Sequence, residues 1–418
     1  MSTIFPYPIR FFRCRADVGG QEDWTAPQMQ KILRLNSWVG GITGETGIPG
    51  LRMDFNTGLR LQLPAGNWHV RISDYDTERI FFDEPASETI LLSLENYYVH
   101  WQVDIYEGGE PVFSHLFDPC GQTVCFVAMD DCALGDAVAF LPYIAAFREK
   151  YDACRLVCHV PQYLRGITHW YYPWLPLADH VPDDTYATYF FNTGLDNFTT
   201  LPIDGRTIPL HHVGMLTLGL ARPAPRLPWK PAAREISSPY VCVNVQASTP
   251  TKGWIYPDGW NIVCRRLKSM GYRVLCIDKE ARHEQYGVTI VRPDEAEDFT
   301  GPRPLEERAD LLSHADFLIG LSSGLSWLAN SVGCPVIMIG GFSQYWYEFP
   351  EAYRVYNRFV CHGCLNDVRA NYFQNTCPRH AANAPDFLEC SRSISPRQVM
   401  QAIEQLLDDR KNRCSPFA

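Results

Sequence analysis

The spacing of apolar positions changes several times along this chain, and each change marks an element. Phe317–Leu321 is an unbroken apolar run, the pattern of a strand buried on both faces. Ser322-Ser323-Gly324 interrupts it. Leu325, Leu328 and Ala329 then return at helical spacing, and Gly333 with Pro335 closes the helix. Val336–Ile339 is a second buried run. The pattern predicts strand, tight turn, helix and strand over Phe317–Gly341. In such a parallel unit, the unpaired N–H groups and dipole of the helix start attract anions. The same residues also describe an ordinary α/β unit with a serine-rich helix start, so the rest of the chain must decide.

Residues 1–50 form an N-terminal extension with little periodicity. A short helix over Thr25–Ser37 and a glycine-rich loop are expected there. Period-two alternation takes over in 51–118, with LRLQLP, WHVRI, RIFF and YYVHWQVDIY separated by turn residues. This predicts an antiparallel β domain whose work is docking or stabilisation. From 119 to 225 buried strands alternate with an amphipathic helix, giving a first α/β domain: TVCFVAM, a turn at Asp130–Asp136, a helix over Ala137–Tyr151, then strands near Cys154–Val160 and Tyr186–Phe191. Five prolines within 221–239 exclude a continuous helix, so 226–239 is read as a linker. Residues 240–350 alternate strand and helix again, with strands at YVCVNVQA, YRVLCID and GVTIVR. Ser395-Pro396 opens a final helix in 395–418. The expected class is α/β, with two Rossmann-like doubly wound domains facing a cleft.

Composition narrows the function. A formal net charge of −10 argues against a general nucleic-acid surface. No run approaches the ~20 apolar residues needed to span a bilayer, and no secretory signal is read at the N-terminus, so membrane insertion is not expected. Most of the fifteen cysteines lie singly in apolar strands, as in a reducing compartment. Four do not. Cys361, Cys364, Cys377 and Cys390, spaced x2, x12 and x12 in the segment 351–394, suit a tetrahedral structural metal site. Zinc is the default and iron takes the same ligands. His362 and His380 are alternative ligands, and Cys414 is expected to be free.

Two further patterns point to chemistry. Asp136, after Leu134-Gly135, sits at a helix start, where it is a cap or a general base, with Asp130 and Asp131 as rivals. Lys252, in the loop after a buried strand, faces Ser322–Leu325 across the sheet and can neutralise a diphosphate; Ser248 and Thr249 can donate hydrogen bonds to it. Asp278 stands at a strand end, where it binds a ribose or begins a turn. Gly-x-Gly-x-x-Gly, Gly-x4-Gly-Lys-Ser/Thr and Gly-x-Ser-x-Gly are all absent, which removes support for dinucleotide, P-loop and serine-hydrolase chemistry.

Taken in order, Leu134-Gly135-Asp136, QASTPTKGW, EDFTG at 297–301, FLIGLSSGLSWLA, CHGC, CPRH and LEC resemble the bacterial autotransporter heptosyltransferases. These are similar to the heptosyltransferases of lipopolysaccharide core assembly and share their GT-B fold. The resemblance runs from about Met53 to the C-terminal helix. It implies transfer of heptose from ADP-glycero-manno-heptose to serines of an autotransporter adhesin in the cytoplasm, by a homo-oligomer that is a dodecamer in the family. It implies Asp136 as base, Lys252 on the donor diphosphate, Gly135, Ser322, Ser323, Gly324 and Leu325 at the donor seat, and iron on the four cysteines. The alternatives are a GT-B transferase with another nucleotide sugar or acceptor, and a non-catalytic, metal-stabilised assembly protein.

Overall fold

The computed structural model describes residues 9, 11–15, 35, 37–93, 97–191, 203–222, 229–285, 288–370, 377–381 and 384–413. The helix expected over 25–37 lies mostly outside the described residues, as does Cys414. The chain divides into two compact units. One comprises 1–132, 140–205 and 212–224; the other comprises 133–139, 206–211 and 225–418.

The first unit carries β1 (Phe12–Arg15), β2 (Arg52–Asn56), β3 (Arg60–Leu63), β4 (Trp68–Asp74), β5 (Arg79–Ala86), β6 (Thr89–Leu92), β7 (Trp101–Glu107) and β8 (Glu110–Leu116). After these come β9 (Thr123–Val127), α1 (Leu134–Lys150, whose residues up to Ala139 belong to the second unit), β10 (Arg155–His159), α2 (Gln162–Tyr171), β11 (Thr185–Phe190) and α3 (His212–Thr217). A seven-stranded sheet has the order β1-β6-β3-β2-β11-β9-β10. Its β2, β11, β9 and β10 pair in parallel, and every residue of β9 is buried, as a strand covered on both faces requires.

The strands expected over 51–118 are present and divide between two sheets. β2, β3 and β6 continue the α/β sheet, whereas β4, β5, β7 and β8 form a separate antiparallel sheet in the order β5-β4-β7-β8. In the latter, Val70 opposes Ile105 and Ile72 opposes Val103, all fully buried. Alternation reports that a strand has one buried face; it does not report which strand lies beside it.

The second unit holds β12 (Tyr240–Val243), α4 (Gly259–Ser269), β13 (Arg273–Cys276), β14 (Arg282–Gln285), β15 (Val288–Val291), β16 (Glu297–Asp298), α5 (Leu305–His314), β17 (Leu318–Gly320), α6 (Gly324–Ser331), β18 (Val336–Ile339), β19 (Tyr353–Val355), α7 (Glu389–Arg392) and α8 (Pro396–Arg413). Six of its strands make a parallel sheet in the order β16-β13-β12-β17-β18-β19. GVTIVR does not join it: β15 pairs antiparallel with β14 in a hairpin of its own. Within the stretch read as a linker, residues 229–239 carry no helix or strand, and 226–228 lie outside the described residues.

Val243, Ile319 and Ile337 from the sheet meet Val263 and Leu267 of α4 and Val399, Ile403 and Leu406 of α8 in one buried core. Burying each such side chain contributes about 1.5–3 kcal/mol. Among the described residues no helix is long and apolar enough to cross a membrane. Strand order also places the site. From β12 the chain steps to β13 and then β16 on one side, and returns to β17 on the other. The switch point of the sheet therefore lies between β12 and β17, and the loops leaving their carboxyl ends are neighbours.

Candidate active site

The loop after β12 is held by a carboxylate two residues beyond the end of β13. Asp278 is 1% exposed. It accepts the N–H groups of Val245 at 2.9 Å and Gln246 at 3.2 Å, and the Asn244 amide at 2.5 Å. The Cys276 thiol donates to it at 3.3 Å. Burial raises its pKa against those hydrogen bonds. With both oxygens engaged, Asp278 anchors the 244–246 turn, the second of the two roles its strand-end position suggests. Thr249 is likewise turned inward. Its hydroxyl accepts the Thr251 N–H at 3.2 Å and caps a single 3₁₀ turn, Pro250–Lys252, while Ser248 on the same loop is exposed. That turn points Lys252 into the site.

The loop after β17 is tied to the same frame. Ser323 donates its hydroxyl to Asn244 Oδ1 at 2.5 Å, so this side chain does not cap α6. Ser322 donates its hydroxyl to Glu348 Oε1. A second helix begins beside the first. A Cβ on Gly324 would stand 2.6 Å from Leu134 Cβ and 3.1 Å from the Gly135 nitrogen. A Cβ on Gly135 would stand 3.0 Å from Trp327 Cδ1 and 3.6 Å from Gly324 Cα. Two glycines thus let the starts of α1 and α6 meet backbone to backbone. Each start carries unpaired N–H groups and the positive end of a helix dipole, so their convergence suits a multiply charged anion.

The helix α1 begins at Leu134, earlier than the spacing predicts, so Asp136 is its third residue and not a preceding cap. The segment 133–139 belongs to the same unit as Lys252 and Ser322–Leu325. Asp136 is half-buried, and its pKa is pushed up to about 7, first by burial, against the pull of Lys252, with a smaller push from Glu348. Burial lowers the pKa of Lys252, opposed by Glu348 and then Asp136. The Lys252 ammonium also sits 5.0 Å from the Phe342 ring centroid, within cation–π range. A carboxyl poised near neutral pH beside a buried ammonium and two helix starts can take a proton while a neighbouring anion is held. The rivals Asp130 and Asp131 are exposed and belong to the other unit.

This packing predicts an order of damage. Gly324→Ala puts a methyl against the root of Leu134, where no flexible tip can yield. Gly135→Ala needs only a few tenths of an ångström from the Trp327 ring. Gly324→Ala is therefore expected to weaken ADP binding more than Gly135→Ala, measured by titration calorimetry on both variants.

The four cysteines come together. Cys361, Cys364, Cys377 and Cys390 line one pocket with Thr251, Gly341 and Leu388. Gly363, at φ +69°, supplies the left-handed turn of the Cys-x-x-Cys loop. Leu388, buried and also left-handed at φ +53°, turns the chain just before Cys390. Cys364 is pushed up to about 12, first by burial and then by Cys390, Cys377 and Cys361. Cys390 is pushed up to about 12 by burial, Cys361 and Cys377. Thiols that oppose one another's ionisation are a donor set that a cation relieves. Among the described residues no group of three or more histidine, cysteine or acidic side chains is placed to hold a metal ion as it stands. Of the alternative ligands, His380 Nε2 lies 3.7 Å from Cys361 Sγ and its Nδ1 2.7 Å from Asp386, while His362 Nδ1 contacts the Val360 carbonyl at 3.0 Å.

One residue of the site escapes sequence reasoning. Glu348, 2% exposed, accepts hydrogen bonds from Ser322, from Ser343 at 3.2 Å and from Trp327 Nε1 at 2.8 Å. It lies in a loop without periodicity, and its partners are up to 26 residues away, so no local pattern marks it.

Residues 47–109 match the family model "Glycosyltransferase TibC, N-terminal domain", and residues 221–365 match "Glycosyltransferase family 9 (heptosyltransferase)". The chain is 36% identical over 377 residues to the autotransporter heptosyltransferase TibC of Escherichia coli O78:H11, covering 87% of this chain and 91% of that protein. It is 32% identical over 371 residues to BimC of Burkholderia thailandensis, described as an inactive autotransporter heptosyltransferase, covering 86% and 87%. The crystal structure of dodecameric, iron-containing TibC in complex with ADP-D-beta-D-heptose superposes with a TM-score of 0.81 at 34% identity, over 88% of this chain and 98% of that one.

Proposed function

We propose, for a chain that belongs to the autotransporter heptosyltransferase family, that it moves heptose from ADP-glycero-manno-heptose to serine hydroxyls of an autotransporter adhesin. Its family is one of glycosyltransferases. The observation that carries the reading is the convergence of Asp136, Lys252 and two uncovered helix starts within one compact unit.

The chemistry follows from that arrangement. The Asp136 carboxylate accepts the proton of the acceptor hydroxyl. The hydroxyl oxygen attacks the anomeric carbon from the face opposite the diphosphate, forming the new C–O bond with inversion. The bond from that carbon to the diphosphate oxygen breaks, and ADP leaves with its electron pair. Lys252 and the N–H groups at Ser322–Leu325 and Gly135 meet the charge that grows on the leaving diphosphate, where fixed donors and cations are most effective. No second carboxylate is required for this route.

The segment 351–394 is read as an iron site of Cys361, Cys364, Cys377 and Cys390, with zinc as the alternative. Four thiolates close the coordination sphere, so the ion supplies folding energy and leaves no position for substrate. By its likeness to a dodecameric, iron-containing relative, the chain is expected to assemble as a dodecamer; the family resemblance implies that it works in the cytoplasm before the adhesin is exported.

Because one relative is inactive, turnover itself is the test. The full chain is incubated with ADP-glycero-manno-heptose, with other nucleotide sugars and with a serine-rich adhesin passenger fragment, and the fragment is weighed by mass spectrometry. A gain equal to one or more heptosyl groups is expected. No gain with any donor rejects the transferase reading in favour of a non-catalytic assembly protein. A gain only with another donor replaces the sugar.

A further inference from the structure

We propose that Glu348 is the positioning residue of this site, a single buried carboxylate that locks the donor turn and the start of α1 together and supplies the countercharge to Lys252. The inference rests on the functional reading above and adds a residue to it.

Its two oxygens divide the work. Oε1 accepts the hydroxyl of Ser322, the first residue of the 322–325 turn, and that of Ser343 at 3.2 Å. Oε2 accepts the indole N–H of Trp327 at 2.8 Å. Trp327 is the wall against which Gly135 packs, one residue before Asp136. A chain of direct contacts therefore runs from the donor turn through Glu348 and Trp327 to the base. The Trp327 ring is fixed further by an edge contact to Phe349, with centroids 5.1 Å apart. Three donors, two of them from the 322–327 segment of the site, satisfy the oxygens of Glu348. A carboxylate is costly to bury unless it is bonded and paired, and pairing with the cations beside it is its charged task.

That task is visible in the charges around it. Glu348 is the largest favourable charge on Lys252 and a like charge on Asp136. On its far side Arg354 faces it, bonded to the Ser343 hydroxyl and carbonyl, each at 3.1 Å. Among the described residues, the charged groups that feel Glu348 are Lys252, Asp136 and Arg354. Lys252 is faced by Glu348 and Asp136. Asp136 is faced by Lys252 and Glu348. Without Glu348, the half-buried Lys252 surrenders its proton more readily and Asp136 becomes a weaker base.

The signs give the experiment. Loss of the Glu348 charge lowers the pKa of both Lys252 and Asp136. In Glu348→Gln, the alkaline loss of ADP affinity, read by calorimetry across pH, is expected at lower pH than in the unmodified full chain. The acid limb of kcat/KM for the donor is expected to move the same way, and kcat to fall by about 10²-fold as the base loses its alignment. Trp327→Phe keeps the charge and loses one hydrogen bond, so kcat should fall with neither limb displaced. The ADP arm needs no turnover: if the unmodified chain transfers no sugar, the proposed function fails while this arm still decides on Glu348. Limbs that stay in place in Glu348→Gln overturn the proposal, and so do limbs displaced equally in Trp327→Phe.

Discussion

Asp136→Asn is expected to cut transfer by about 10²–10⁴-fold, the usual contribution of a general base, while ADP binds within a few-fold of its normal affinity. The amide keeps the size of the side chain at the third position of α1 and cannot accept the acceptor's proton. Donor binding should survive because the proposed diphosphate seat uses Lys252 and backbone N–H groups, not this carboxylate. The unmodified enzyme makes a second, quantitative statement. Burial holds the Asp136 carboxyl up near 7, and a base works only when deprotonated. The kcat/KM for the donor should therefore fall as pH drops through about 7, approaching tenfold per unit below it. The bound diphosphate adds negative charge beside Asp136, so the limb in kcat should lie higher than the limb in kcat/KM. Asp136→Asn should erase both. Near-normal turnover in that variant would falsify the base assignment.

Replacing Cys361 and Cys364 together by serine is expected to remove the metal and unfold the segment around it. Between Tyr356 and Phe387, Leu365 is the one large apolar side chain that is buried among the described residues, and Phe359 is 99% exposed. So little core cannot hold the segment, and Leu388 is in addition kept in a left-handed conformation that costs a β-carbon residue on the order of 1–3 kcal/mol. Thiolate metal sites offer compensation on the order of 10 kcal/mol. Elemental analysis should fall from about one ion per chain to none, and limited proteolysis should then cut first in 357–388. Because the thiols are raised by burial and by one another, metal binding must expel their protons, and affinity should fall steeply towards low pH. Full metal content in the double variant would sink the four-cysteine site.

How much was legible in the sequence depends on how local each feature is. Phe317–Gly341 was readable because strand, turn and helix each write their own period into adjacent residues, and the structure repeats it as β17, α6 and β18. The four cysteines were readable as a set by their chemistry. Features made by contacts between distant segments were not. Phe55 pairs with Ala187, and nothing near either residue announces that β2 belongs to the α/β sheet. Asp278 and Thr249 read as ligand contacts because polar residues at strand ends often are; the hydrogen bonds that tie their oxygens into the protein are ones that local pattern does not reveal. Glu348 went unread for the opposite reason, since a lone acid in an irregular loop resembles any solvated one until its three donors are seen.

The unit that carries the site is not one continuous piece of chain. It takes 133–139 and 206–211 from the middle of the other unit's sequence, and Leu210 and Arg206 are bonded into it through Tyr347 and Asn366. A gene fragment encoding 225–418 alone would therefore omit Asp136, the proposed base, and the glycine against which Gly324 closes. Chimeras with relatives that exchange halves at the proline-rich stretch would inherit the start of α1 from one parent and the 322–325 turn from the other, and their compatibility would hinge on Leu134, Gly135 and Gly324 matching across the graft.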